Sequence, residues 1–244
     1  MAAILRFGEP RDGFDVPVLD EREVRAGAGI LFLLALVAFM NSWLVGDFHY
    51  TRVFVVAFLV DFVIRVALNP RFSPTLILGR LAVRHQAPEW TGAPQKRFAW
   101  GIGLALAATM FYLIVLNEVV GPVNLFICLF CLLLLFFESA FGICIGCKIY
   151  ELAFRKSARH CPGGVCPADP VPAKKVSAGE TAILVAFMAF VLLLGQHLPA
   201  RSQQPAARAD AAPAAAVVDD KCTPPDWAVQ MGHAEKWKLH NNCK

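Results

Sequence analysis

Charged residues are scarce in this chain. Asp, Glu, Lys and Arg make up 17% of the 244 residues, whereas a soluble globular domain carries roughly 25%. Hydrophobic residues make up 57%, and the mean hydropathy is +0.54. This composition argues against a water-soluble domain and predicts a lipid bilayer as the main partner of the chain. The net charge of +4 is not gathered in a stripe, so we expect no nucleic-acid partner.

Several sequence motifs with well-understood chemistry are also missing. The chain has no P-loop, no GxGxxG after a predicted strand and no HExxH, so the phosphate-binding and zinc-protease sites that these motifs signal are not expected. It has no CxxCH for haem attachment, because Lys148 follows Cys147. No signal-peptide cleavage site follows the first apolar run, and we expect that run to be retained as a signal-anchor.

Long apolar runs are what the chain does contain. They predict an all-α fold, an integral membrane helical bundle with about five transmembrane helices, since each run is close to the ~20 residues that cross a hydrocarbon core. The fourth run is the longest, and we predict one continuous helix from Pro122 through Cys147. The predicted spans are 24–45, 52–68, 98–116, 122–147 and 180–198.

The charge of the loops predicts the orientation. The loops after the second and fourth spans are rich in Lys and Arg, whereas 46–51 and 117–121 contain neither. By the positive-inside rule, the N-terminus is cytoplasmic and the C-terminus lies outside a bacterial inner membrane. The predicted organisation is a cytoplasmic segment 1–23, a four-span core 24–155 with a cytoplasmic interfacial loop 70–97, a cytoplasmic cysteine-containing loop 156–178, a fifth span 179–198, an Ala/Pro linker 199–221 and an external module 222–244.

The eight cysteines form four pairs in four different environments. Cys128 and Cys131 lie within the fourth span, where a free cysteine is more often a small packing residue than a reactive one. Outside the membrane, Cys222 and Cys243 are predicted to form a structural disulfide. The remaining four cysteines lie on the cytoplasmic side, where thiols stay reduced unless they are redox-active or bound to metal.

The strongest chemical signal is the CxxC pair in Gly142-Ile-Cys-Ile-Gly-Cys-Lys148. Cys144 and Cys147 stand where the apolar run gives way to basic residues, and nearby cations favour a thiolate. At the end of a continuous helix, however, the negative end of the helix dipole would oppose the thiolate. Cys161 and Cys166 are a candidate exchange partner on the following loop. In the alternative interpretation, all four cysteines bind one tetrahedral Zn²⁺, because C-x2-C-x13-C-x4-C is near zinc-ribbon spacing.

Three ionisable residues are predicted inside the membrane. Asp61 and Arg65 are one helical turn apart, and Glu138 lies at a depth close to that of Arg65. Unpaired charges in hydrocarbon are costly, so we expect these residues to pair. They form a proton or ion relay, an anchor for an anionic substrate next to Cys144, or an ion pair that serves helix packing, and the nearly balanced charges favour packing.

The chain resembles an uncharacterised family of bacterial multi-spanning membrane proteins, a domain of unknown function, over residues 7–155. The resemblance is carried by the segments 15–25, 61–65 and 95–100, by Glu138, and by the GICxGCKxY box that ends at Tyr150. It implies the fold and the membrane placement but no established activity. Members of the family occur beside, or fused to, thioredoxin-like or rhodanese-like proteins. The resemblance therefore implies a partner of that kind and a thiol or sulfur role.

The leading hypothesis is therefore a membrane thiol protein that passes electrons or sulfane sulfur through Cys144 and Cys147. A relay to Cys128 and Cys131 would require a quinone or a moving partner. These cysteines lie about 24 Å along the predicted helix from Cys144 and Cys147, which is too far for direct exchange. Two other classes remain open. One is an accessory subunit of a larger membrane complex, and the other is a transporter of a small sulfur compound or metal ion.

Overall fold

A computed structural model of the protein describes residues 7–11, 13–154, 176–198, 223–225, 228–229 and 234–240. The chain divides into two compact units, 1–201 and 202–244. The first unit is mostly helical, which confirms the predicted all-α membrane bundle.

The elements of the first unit are β1 (Val18–Asp20), α1 (Glu21–Val45), α2 (His49–Val63), α3 (Pro74–Ala82), β2 (Trp90–Gly92), α4 (Ala93–Met110), α5 (Pro122–Phe136), α6 (Ile145–Phe154) and α7 (Ala178–His197). The helices α2, α4 and α5 continue as π-helical segments, Ile64–Leu68, Phe111–Leu116 and Phe137–Phe141. A 3-10 turn, Pro70–Phe72, precedes α3, and β1 pairs antiparallel with β2. The described part of the second unit contains α8 (Ala234–His240).

Four helices among the described residues are long and apolar enough to cross a membrane: Glu21–Val45, Ala93–Leu116, Pro122–Phe141 and Ala178–His197. The second predicted span is helical as well, but it differs in charge. It holds Arg52, Asp61 and Arg65, and all three side chains are buried within the protein. Its polar groups therefore face other helices, as charged residues in membrane proteins generally do.

The helix α1 is the centre of the bundle. The side chain of Asp20 caps its N-terminus by accepting a hydrogen bond from the Arg22 backbone N–H. Along its length α1 packs against α2, α3 and α5. The main buried cluster combines side chains from these helices and α4, including Val24, Leu31, Phe58, Phe62, Leu76 and Trp100.

The apolar segment of the loop 70–97 forms α3, and its buried face is directed at α1. Leu76 and Ile77 are almost fully buried. A Cβ atom at Gly79 would lie 2.5 Å from the Glu23 carbonyl oxygen, so the two backbones touch there. The apolar side chains of this segment, which lies in the loop predicted to be interfacial, thus contribute to the core.

The fourth predicted span is not continuous through Cys147, and that prediction is wrong. The helical segment ends at Phe141, Gly142 takes a left-handed conformation with φ of 67°, and α6 begins at Ile145. A left-handed φ suits glycine because it has no Cβ. A side chain at Gly142 would also meet the Arg25 guanidinium, whose Cζ lies 2.9 Å from the Cβ position. The break places the CxxC pair at the start of a helix instead of the end.

The fifth predicted span forms α7, which is joined to the bundle mainly at one end. A capping box of Ser177 and Glu180 begins the helix. Glu180 is the only buried residue of α7, and one of its carboxylate oxygens lies 2.7 Å from Arg71 Nε and 2.7 Å from Arg80 Nη1. The rest of α7 is exposed except for a stripe of half-buried side chains that includes Ile183, Phe187, Val191 and Leu194.

Candidate functional site

The two cysteines of the CxxC motif are in direct contact. Cys144 Sγ and Cys147 Sγ lie 2.7 Å apart, with the Cys147 thiol as the donor, and both residues are free thiols. The Cys147 backbone N–H also points to Cys144 Sγ at 3.4 Å. A disulfide has an S–S distance of about 2.05 Å, so a small movement would join these sulfurs.

The glycines of the motif have separate structural roles. Gly142 makes the break before α6. Gly146 lets α6 approach α4, because a Cβ atom there would lie 2.6 Å from Ala99 Cβ. The cysteine pair therefore lies between the turn at Gly142 and the helix contact at Gly146, which together give it a defined position against α4.

A buried cluster of charges lies beside the pair. Lys96, in the first turn of α4, is 1% exposed, and its Nζ lies 2.8 Å from a carboxylate oxygen of Glu21 and 2.8 Å from one of Glu138. A lysine this deeply buried requires such compensation. Our sequence interpretation counted Lys96 only as a loop charge and gave Glu21 no role. A charged residue in the first turn of an apolar span was the signal that could have identified both.

The charges act on the thiols. The hydrogen bond to Cys144 raises the pKa of the Cys147 thiol, and burial raises that pKa further; Lys96 lowers it and Glu138 raises it. Cys147 therefore keeps its proton at neutral pH. Cys144 is the sulfur placed to carry negative charge, since it accepts from the Cys147 thiol and from a backbone N–H in the first turn of α6.

A narrow cavity of about 60 Å³ adjoins Cys144. Cys144 and Glu138 both line it, with Phe62 and Trp100 in the apolar wall. Cys131 lines the same cavity, and together with Cys128 it also lines a second, apolar cavity of about 50 Å³. Cys131 and Cys144, one thiol from each pair, thus border the same cavity. Cys128 itself packs against a buried apolar cluster.

Asp61 and Arg65 form the predicted ion pair, with Arg65 Nε 2.8 Å from Asp61 Oδ2. Asp61 also accepts hydrogen bonds from the Ser73 hydroxyl at 2.7 Å and the Thr75 backbone N–H at 3.0 Å. The network joins α2 to the start of α3, as the packing interpretation expects. Glu138 is not part of it, because its partner is Lys96. The expected trio of charges is therefore divided between two networks.

The other predicted site cysteines lie outside the described residues. These are Cys161 and Cys166 of the cytoplasmic loop and Cys222 and Cys243 of the external module. The exchange partner, the four-cysteine zinc site and the disulfide are for that reason still predictions from sequence. Within the described part of the chain, no cluster of three or more His, Cys, Asp or Glu side chains is arranged to hold a metal ion.

The fold and the buried charges define a helical membrane protein with a thiol pair beside its bundle. Residues 19–155 match the model of the family described as a domain of unknown function, DUF4395. The match covers more than half of the chain, and the chain belongs to this family. The cysteine pair and its charge cluster lie inside the match, whereas α7 lies outside it. No curated protein and no solved structure matches the chain.

Proposed function

We propose that this protein is a membrane thiol–disulfide exchange protein whose working pair is Cys144 and Cys147. The observation that carries the proposal is the contact of the two sulfurs at 2.7 Å at the start of α6, beside a buried lysine. Helix N-termini, nearby cations and CxxC spacing are the features that activate cysteines in redox proteins.

The exchange runs in two balanced steps. The Cys144 thiolate attacks a substrate disulfide, which forms a mixed disulfide and releases one substrate thiolate. Cys147 then loses its proton and attacks the Cys144 sulfur, which breaks the mixed disulfide and releases the second substrate thiolate. The substrate disulfide gains two electrons, and the two cysteines become a disulfide. The reverse sequence oxidises a substrate dithiol.

The proposed location is the cytoplasmic face of a bacterial inner membrane, with the C-terminus in the periplasm. It is supported by the distribution of Lys and Arg among the loops. In that orientation Cys144 meets a cytoplasmic partner, for which a thioredoxin-like or rhodanese-like protein is the expected kind. Cys161 and Cys166, on the same side, are candidates for passing electrons or sulfane sulfur onward.

The test uses purified full-length protein in detergent with glutathione disulfide as the probe. Wild type should consume the probe and end as the intramolecular disulfide. Cys147→Ser should stop at a glutathione adduct on Cys144, seen by mass spectrometry, because no second thiol resolves it. Cys144→Ser should lose most of the reaction at this motif. Cys128→Ser is the control and should behave as wild type. Equal adduct formation at this motif in Cys144→Ser and Cys147→Ser would contradict the proposal.

A further inference from the structure

We propose that a groove at the N-terminal end of α4 binds one anionic phospholipid, with the lipid phosphate on Arg97 and an acyl chain against the apolar lining. We call this cavity the interfacial groove. The inference does not depend on the proposed exchange function, because neither Cys144 nor Cys147 lines the groove.

The interfacial groove is large enough for a ligand. Its volume is about 490 Å³, which falls within the roughly 300–1,000 Å³ typical of ligand pockets, whereas the cavities beside the cysteines measure about 60 and 50 Å³. Three parts of the chain form it: the segment before α1, the end of the second predicted span and the first turns of α4. Arg97 is the only charged residue among its described lining residues, and the apolar ones include Phe7, Pro17, Val66, Pro94 and Phe98.

The groove lies where helices of the bundle enter the bilayer. Phe98 is in the second turn of the span Ala93–Leu116, and Val66 is in the last turn of the second predicted span. On both sides the groove continues into exposed apolar surface. Val63, one turn before Val66, is 41% exposed, and Phe154, whose ring centroid lies 6.0 Å from that of Phe98, is 54% exposed. A lipid chain can therefore enter the groove from the side.

Arg97 gives the groove its charge complementarity with an anionic headgroup. Its side chain is exposed, whereas the adjacent Lys96 is buried and held by two carboxylates. The ion pairs of the described residues do not include Arg97. Its guanidinium carbon lies 5.2 Å from the centroid of the Phe7 ring, a cation–π contact that holds the guanidinium over the groove wall. A guanidinium can donate two parallel hydrogen bonds to a phosphate.

The chemistry of the lining favours an anionic phospholipid over related ligands. Free phosphate would gain the contact with Arg97 but nothing from the apolar lining. A zwitterionic lipid also brings a cation, and the described lining has no acidic side chain to pair with it. An anionic phospholipid matches both features, since its phosphate meets the guanidinium and its chain covers the apolar side chains. Basic pockets between transmembrane helices recognise anionic headgroups in this way.

The test is native mass spectrometry of the full-length protein in detergent, with equimolar phosphatidylglycerol and phosphatidylethanolamine of matched acyl chains. Wild type should retain one phosphatidylglycerol in preference to phosphatidylethanolamine. Arg97→Gln should weaken the retention of phosphatidylglycerol by about 5-fold, a typical effect of one basic residue at a membrane surface. Arg84→Gln is the matched control, because it removes the same charge from an exposed position outside the groove. It should stay within twofold of wild type.

A second variant tests the apolar part of the site. Val66→Phe enlarges a side chain of the lining and leaves Arg97 in place, so it should also weaken the retention of phosphatidylglycerol. Thermal unfolding in lipid-free detergent checks the fold of each variant. Added phosphatidylglycerol should raise the unfolding midpoint of wild type, because a ligand that binds only the folded state stabilises it. The midpoint of Arg97→Gln should rise less.

Three results would overturn the proposal. Equal retention of the two lipids by wild type would show that the groove does not select a headgroup. Equal losses in Arg97→Gln and Arg84→Gln would show that any basic residue attracts the lipid, and unchanged retention in a folded Val66→Phe would show that no chain occupies the groove. Displacement of phosphatidylglycerol by excess inorganic phosphate would replace the lipid with a free anion as the ligand, and this would overturn the assignment as well.

Discussion

Single residues decide where the thiols of this protein lie and how they react. Gly142 is the clearest case, since its left-handed φ of 67° turns one apolar run into two helices. The turn moves Cys144 and Cys147 from the negative end of one helix to the positive end of the next. A substitution at one glycine therefore acts on chemistry two to five residues away.

The first prediction concerns that turn. Gly142→Ala should destabilise the protein by about 1–2 kcal/mol because of the left-handed conformation, and the methyl group would press on Arg25. It should also slow alkylation of Cys144. Gly101→Ala, within α4, is the matched control, since a Cβ there meets no atom within 4 Å. Thermal unfolding in detergent and alkylation rates measure both effects, and equal behaviour of the two variants would argue against a special role for the turn.

The second prediction follows from the raised pKa of the Cys147 thiol. An unfolded cysteine ionises with a pKa near 8.5. The folded state favours the protonated thiol, so its contribution to stability is complete below that pH and is lost as pH rises through the folded pKa. Reduced wild type should therefore lose more stability between pH 8 and pH 10 than Cys147→Ser does. Unfolding midpoints at both pH values measure the difference, and parallel losses would contradict the assigned protonation.

At the scale of elements, the helices differ in how firmly they belong to the bundle. The helix α1 packs against α2, α3, α5 and the segment Phe137–Phe141, and α3 crosses it with backbone contact at Gly79. The helix α7 is different, because Glu180 is its single buried residue. Both arginines that bind Glu180 lie within the family match, and α7 follows it. A carboxylate from an additional helix thus docks on a site made by the family domain.

The third prediction tests this ionic attachment. Glu180→Gln should speed amide hydrogen exchange in the last two-thirds of 178–198 and lower stability by roughly 1–2 kcal/mol, since Arg80 retains Glu23 as a partner. Thiol reactivity at Cys144 should be unchanged. Glu151→Gln, which breaks a more exposed pair on α6, should cost less than about 0.5 kcal/mol. Unaltered exchange in α7 would contradict this ionic attachment.

At the scale of the whole molecule, orientation in the membrane decides which compartment meets the thiol pair. Four of the described helices are long and apolar enough to cross the bilayer. The membrane face at which Cys144 lies is a prediction from the basic loops. This choice separates a cytoplasmic exchange partner from an external one, and it can be tested without knowing the partner.

The fourth prediction is therefore topological. A membrane-impermeant maleimide should label Cys144 in inverted bacterial membrane vesicles and leave it unlabelled in right-side-out vesicles. A variant in which Cys161 and Cys166 are both replaced by Ser keeps the readout on the CxxC pair. Labelling from the outside would reverse the proposed orientation and, with it, the kind of partner expected.

Much of the architecture is encoded locally, so it could be predicted from the sequence. Apolar runs about 20 residues long specify helices in lipid, because every backbone polar group must be satisfied within its own segment. Asp61 and Arg65 are four residues apart, and helix geometry alone brings them together. The CxxC spacing likewise puts two sulfurs on adjacent positions of one turn.

The environment of the thiols could not be predicted in this way. Glu21, Lys96 and Glu138 are far apart in the chain and meet through the packing of α1, α4 and α5. Local patterns do not specify which buried cation finds which acid, since that depends on helix crossings. Nor does a glycine within an apolar run reveal whether it continues a helix or breaks it. At Gly142 the position of Arg25, set by the packing of α1, leaves no room for a side chain at the turn.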